Sequence, residues 1–199
     1  MERVCYKAER WAAAMQLYEH AIAHIESGAS RAYRLGDLYA RRGTVQLNFL
    51  AQLDAAIESF QKVVEVDSQP EAAIKTLEDL CRRRDDWQPL IAAYEHRAET
   101  QRDSQRRVSA LRAAAVVARD HGQDTRQSVV INRKLLEVDP KDAGAAAALE
   151  RFYEDNQDRS GLIEILKLRL LHADNQAASV ELLKRIARVS EEGARDVET

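Results

Sequence analysis

His20 and His24 stand one helical turn apart, in the stretch Glu19-His20-Ala21-Ile22-Ala23-His24. Such an i, i+4 pair can hold a metal ion, but a stable zinc site takes three or four ligands, and no third ligand stands at a matching spacing. The order also differs from the HExxH of zinc proteases, so no metal-ligating residue is expected. His96 recurs at the place of His20 within Tyr94-Glu95-His96, without a second histidine, which marks a solvent-edge position. Cys5 and Cys81 form neither a CxxC pair nor a disulfide framework. A nucleophilic thiol needs a neighbouring base, and nothing in the sequence supplies one, so both cysteines read as small hydrophobes. With no Gly-rich phosphate loop, no GxSxG and no distinctive carboxylate pair, the sequence carries no expected catalytic or cofactor-binding residue.

The remaining chemistry lies in the arginine runs Arg41-Arg42, Arg82-Arg83-Arg84 and Arg106-Arg107. They read either as a solvated charged face or as planar forks that grip carboxylates. A net charge of −3 argues against a general polyanion binder, and no aromatics interleave the arginines, so nucleic acid is not an expected partner. Hydrophobic residues at 45% and charged residues at 32% suit a packed protein rather than a disordered one. Only 7 Gly and 3 Pro punctuate a chain otherwise rich in strong helix formers, which points to an all-α fold. No run approaches the ~18 apolar residues that span a bilayer. The charges scattered through Met1 to Leu17 are unlike a signal peptide, so the expected setting is cytoplasmic.

Those residues must be positioned by repeating elements. Val63-Val64-Glu65-Val66-Asp67 matches Leu135-Leu136-Glu137-Val138-Asp139 at an offset of 72 residues. One ladder runs Leu35, Leu77, Leu111, Leu149, Leu183, with spacings of 42, 34, 38 and 34. A second runs Tyr18, Phe60, Tyr94, Asn132, Leu166, and a third Ala14, Ala56, Leu90, Ser128, Leu162, with the same spacings. A 34-residue period is that of a helix–turn–helix unit whose apolar stripes are buried only by stacking.

On these residues the chain resembles the tetratricopeptide repeat family. Leu35-Gly36-x-x-Tyr39 with Gly43 resembles the family's first helix, and Ala56-x-x-x-Phe60-x-x-Val63 its second. Asp139-Pro140 stands where the family ends a repeat, and Trp11 and Trp87 fill the aromatic position opening the second helix. The resemblance covers nearly the whole chain and implies a right-handed α-solenoid of antiparallel helix hairpins. Approximate repeats are 1–28 (partial), 29–70, 71–104, 105–142, 143–176 and 177–199 (partial). Asn132, Ser128 and Arg97 depart from the apolar or small residues usual at their positions, and are expected to be looser or turned toward solvent. The family's groove-facing first-helix positions fall here on Tyr33, Asp37, Arg41, Lys75, Asp79, Arg82, Arg83 and Arg106. They continue through Ser109, Arg151, Glu154, Asp155, Glu181, Arg185 and Arg188. Tyr33 and Asp37 replace the lysine and asparagine of the family's chaperone-tail clamp, which this chain is not expected to form.

Extra residues are expected at the internal turns of the second and fourth hairpins. In the second, Leu47, Phe49 and Leu50 are expected to lie on a second helix that starts early and projects. They would cover the adjacent hairpin or form an apolar knob for a partner. Both ends of the chain fall mid-pattern, which suggests a piece of a longer array. The resemblance implies a non-catalytic scaffold for a protein or peptide partner, possibly acidic, of the kind found in large bacterial scaffold and assembly proteins. Self-association through uncapped ends is the alternative, and RNA binding a more distant one.

Overall fold

Long runs of alanine, leucine, glutamate and arginine, broken only by short polar turns, fold as helices throughout. The computed structural model describes residues 2–28, 33–122 and 125–197. Among them the regular elements are all α-helices: α1 Glu2–Lys7, α2 Trp11–Glu26, α3 Leu35–Asn48, α4 Leu53–Val66, α5 Glu71–Arg84, α6 Gln88–Thr100, α7 Ser104–His121, α8 Thr125–Val138, α9 Ala143–Asp155, α10 Arg159–Leu171 and α11 Gln176–Val197. The chain divides into two units, Met1–Thr100 with α1 to α6 and Gln101–Thr199 with α7 to α11. Within each unit a helix packs on its neighbours in sequence, and α4 also meets α6, the solenoid-like arrangement expected of stacked hairpins. Ala14, Ala56, Leu90 and Leu162 of the third ladder are buried, as are Tyr18, Phe60 and Leu166 of the second.

Four internal turns share one device. Glu9, Ala51, Asp85 and Gln157 all have φ between 52° and 56°, the left-handed conformation that lets a helix stop and the chain reverse. The next amide donates back into the last turn: Arg10 to the Cys5 carbonyl at 2.9 Å, Asp86 to Cys81 at 3.1 Å and Asp158 to Tyr153 at 2.8 Å. Each left-handed residue stands five positions before the third-ladder residue of the following helix, so these turns are equal in length. The second hairpin therefore carries no enlarged turn. Leu47 lies on α3, which at 14 residues is no longer than α5, Phe49 and Leu50 lie in the turn, and α4 starts only at Leu53. The expectation of an early-starting second helix is corrected. Apolar spacing from Leu50 to Phe60 continued a helical phase but did not detect the left-handed residue Ala51 that breaks the chain. In the fourth hairpin the first helix does run long: α7 has 18 residues and ends at His121, about one turn more than α5, while residues 123–124 lie outside the described set.

Counted back from the turn, Gly43 stands where α5 has Leu77 and α9 has Leu149. A Cβ on Gly43 would lie 3.0 Å from the Phe60 ring and 3.1 Å from the Ser59 Cβ. The buried Phe60 ring thus fills the space that a leucine fills elsewhere. Beside it lies a buried polar chain: Arg42 Nε donates to Ser59 Oγ at 2.9 Å, and the Ser59 hydroxyl donates to Gln46 Oε1 at 2.6 Å.

Gly43→Ala gains about 1 kcal/mol of helix propensity but pushes into a ring that cannot yield. Urea denaturation is expected to show a net loss of about 1–2 kcal/mol. Gln157→Gly relieves the left-handed strain without adding a contact, and should raise the stability of the second unit by up to about 1 kcal/mol in the same assay.

Candidate functional site

The first-helix positions singled out in the sequence are mostly exposed, and those with partners pair either within their own helix or with a neighbouring one. Arg82 donates to Glu78 at 2.8 Å and to Asp79 at 3.4 Å, both on its own helix. Arg41 reaches Glu2 on α1 at 2.5 Å. Arg84 is paired with Asp54. Asp37, Lys75, Arg83 and Arg106 are exposed, and the Arg106 amide donates to the N-capping Asp103 at 2.8 Å. Tyr33 is exposed too. In the first unit these side chains form a solvated face crossed by short ion pairs, each worth little to stability in water.

Of the apolar residues before α4 in the second hairpin, Phe49 is in contact with the preceding hairpin yet 46% exposed. The Phe49 ring stacks on Trp11, with centroids 3.8 Å apart and planes at 10°, and meets Tyr6 edge-on at 6.2 Å. Leu47 and Leu50 are half-buried. This segment both contacts the adjacent hairpin and leaves Phe49 exposed. Cys81 is buried, and burial pushes its thiol up to about 11, far from a reactive thiolate. His20 is exposed, with Nδ1 2.7 Å from the Gln16 carbonyl of its own helix.

The concave feature of greatest chemical interest lies in the second unit, where α7, α8 and the start of α9 enclose an open groove of about 460 Å3. Its α7 wall carries Arg112, Ala115, Val116 and Arg119, at the i, i+3, i+4, i+7 spacing of one helix face. Val116 is 47% exposed, an apolar residue offered to solvent. Ser128 and Asn132 of α8 form the floor, and Ala148 of α9 the far side.

The groove exists because two ladders change there. Where other hairpins place Tyr18, Phe60, Tyr94 or Leu166, this one has Asn132, and where they place Ala14, Ala56, Leu90 or Leu162, it has Ser128. The expectation that Asn132 is loose or turned to solvent is corrected: it is buried. Its amide donates to the Ser128 carbonyl at 2.8 Å and to Ser128 Oγ at 3.2 Å, which satisfies its donors locally. The polar side chain leaves unfilled volume that an aromatic ring or a leucine takes in the other hairpins. Arg112, Val116 and Arg119 escaped the family-based transfer, which pointed on α7 to Arg106 and Ser109. The ladder departures themselves were the available signal.

One rim of the groove is held by charge. Arg112 Nε donates to Asp142 Oδ2 at 2.5 Å, and its Nη2 reaches Asp139 at 3.4 Å. Buried Asp142 is also the N-cap of α9, accepting from the Ala145 amide at 2.8 Å. Burial opposes ionisation of Asp142, but the Ala145 amide and the Arg112 guanidinium outweigh it and hold the carboxyl below its usual range. Arg119, at the other end of the wall, is exposed and among the described residues pairs with the adjacent Asp120 at 2.7 Å. That pair can be exchanged for a ligand carboxylate at little cost.

Neither protein-family models nor curated proteins yield a match to this chain. Among the described residues no helix is long and apolar enough to cross a membrane.

Because the folded-state pKa of Asp142 is depressed, its contribution is fully present above the ordinary carboxylate value of about 3.9. That contribution is lost as pH falls through the lowered folded value. Acid titration followed by circular dichroism should show Asp142→Asn losing this part of the pH dependence while keeping the cap. Asp142→Ala should cost about 1–2 kcal/mol at neutral pH.

Proposed function

We propose that the chain is a tetratricopeptide-type helical array that acts as a non-catalytic scaffold, holding a peptide of a protein partner in the α7–α9 groove. The observation that carries this reading is the coincidence of two ladder departures, Ser128 and Asn132, with an exposed apolar wall and an exchangeable arginine. A segment with one apolar side chain beside a carboxylate fits that chemistry. The apolar group seats against Val116, Ala115 and Ala148, the carboxylate meets the planar fork of Arg119, and Asn132 and Ser128 face the backbone. An acidic partner also agrees with the arginine-bearing first helices, and a cytoplasmic setting with the usual habitat of such scaffolds.

Panning a random peptide library against the full chain tests the reading. Retained peptides should pair an apolar residue with Asp or Glu. Asn132→Phe, which refills the ladder position, should weaken them at least tenfold, and Arg119→Glu should remove the preference for acid. Peptides that bind Asn132→Phe as well as they bind the original chain would place their site elsewhere and sink the proposal.

A further inference from the structure

Two independent features of the α7–α9 groove call for an aromatic ring. The first is space. Tyr18, Phe60 and Tyr94 hold the ladder place of Asn132 in other hairpins, and the Tyr18 and Phe60 rings are buried. An apolar cavity of about 150 Å3 already takes up a benzene molecule. The open groove beside Asn132, at about 460 Å3, has room for a ring.

The second feature is Arg112. A guanidinium is a flat group that bonds acceptors in its own plane and stacks on rings through its faces. Twice in this chain an arginine does both. Arg42 donates from Nε to Ser59 Oγ at 2.9 Å, while its guanidinium carbon lies 4.9 Å from the Tyr39 ring centroid. Arg133 bonds Glu164 at 3.0 Å, with its guanidinium carbon 5.6 Å from the Tyr153 centroid. Arg112 has the in-plane half of this arrangement. Its Nε bonds Asp142 at 2.5 Å and its Nη2 reaches Asp139 at 3.4 Å, which fixes the flat group at the groove rim. Its side chain is 56% exposed, and among the described residues no aromatic ring lies over it. One helical turn along the same wall stands exposed Val116, an apolar surface for a ring to rest on.

We infer that the residue anchoring a peptide in this groove is aromatic rather than aliphatic. Its ring rests on Val116 above Ser128 and Asn132 and is covered by the face of Arg112, while Arg119 takes the neighbouring carboxylate. The inference rests on the α7–α9 groove being the peptide site and narrows what enters it. The two arginines of the wall then have different tasks. Arg112, whose in-plane donors are engaged by the chain's own acids, recognises the ring, and Arg119 recognises charge.

Two small acids serve as probes: hydrocinnamate, a phenyl ring joined to a carboxylate by two methylenes, and its saturated cyclohexyl counterpart. Each is titrated into the full isotope-labelled chain and followed by two-dimensional NMR. Hydrocinnamate should shift the amide signals of Ala115, Val116 and Asn132 and bind at least threefold more tightly than the saturated acid. With Arg112→Lys, which keeps the charge beside Asp142 but has no flat face, the two acids should bind equally. Asn132→Phe and, separately, Val116→Glu at an exposed position should each abolish the shifts, with circular dichroism confirming that the variants are folded. Equal binding of the two acids in the groove of the original chain would overturn the aromatic anchor and leave the groove reading standing. So would a preference for hydrocinnamate that survives Arg112→Lys, or an absence of groove shifts while library peptides still depend on Asn132. Failure of the groove reading itself shows differently, as library peptides indifferent to Asn132→Phe.

Discussion

A helical hairpin whose helices are apolar on more than one side cannot be stable alone, and each of its faces must be covered by a neighbour. That requirement organises both units. Ladder residues such as Leu77, Leu149, Tyr18 and Leu166 are buried because the next helix in sequence is always close enough to cover them. It also gives meaning to exceptions. Where a ladder residue shrinks, as at Asn132, a hollow opens.

Ion pairs reinforce the same stacking. Glu2 on α1 is gripped by Arg41 of α3, the next first helix, and accepts the Tyr18 hydroxyl at 2.7 Å. Burial opposes its charge, yet Tyr18 and Arg41 together hold the carboxyl below its usual range. In the second unit Glu150 of α9 stands at the same place relative to the turn and is gripped by Arg185 of α11 and by Arg169. These carboxylates tie first helix to first helix across the intervening second helix. A buried charge held by two guanidiniums fixes spacing more than it adds stability, because desolvation offsets much of the attraction.

The helical class and the ladder positions were legible in the sequence, since apolar spacing reports directly on which side of a helix is covered. Turn geometry was not. Glu9, Ala51, Asp85 and Gln157 are not glycine, so nothing in their identity announces a left-handed conformation, and the residues just before Ala51 were assigned to the helix that follows the break. The arginine runs were conspicuous in sequence, but their partners were not: Arg82 pairs with Glu78 and Asp79 of its own helix, while Arg41 reaches Glu2 and Arg84 reaches Asp54. The groove was half legible. Asn132 and Ser128 stood out as departures, but the consequence of a missing ring depends on the volume around it, which spacing does not report.

The placement of the extra residues in α7 has a bearing on how such a chain can change. An addition of about four residues is close to one whole helical turn, so side chains on either side of it keep nearly the same bearing around the axis. The reversing turn is carried outward unchanged, like the end of a telescoping rod. Length at the turn-bearing edge is therefore a free variable of this architecture, quantised in steps of about 5.4 Å, while the distances between stacked helices stay fixed. An array of this kind can grow a taller rim at one hairpin, as it has where α7 runs on to His121, without renegotiating the contacts that hold the next.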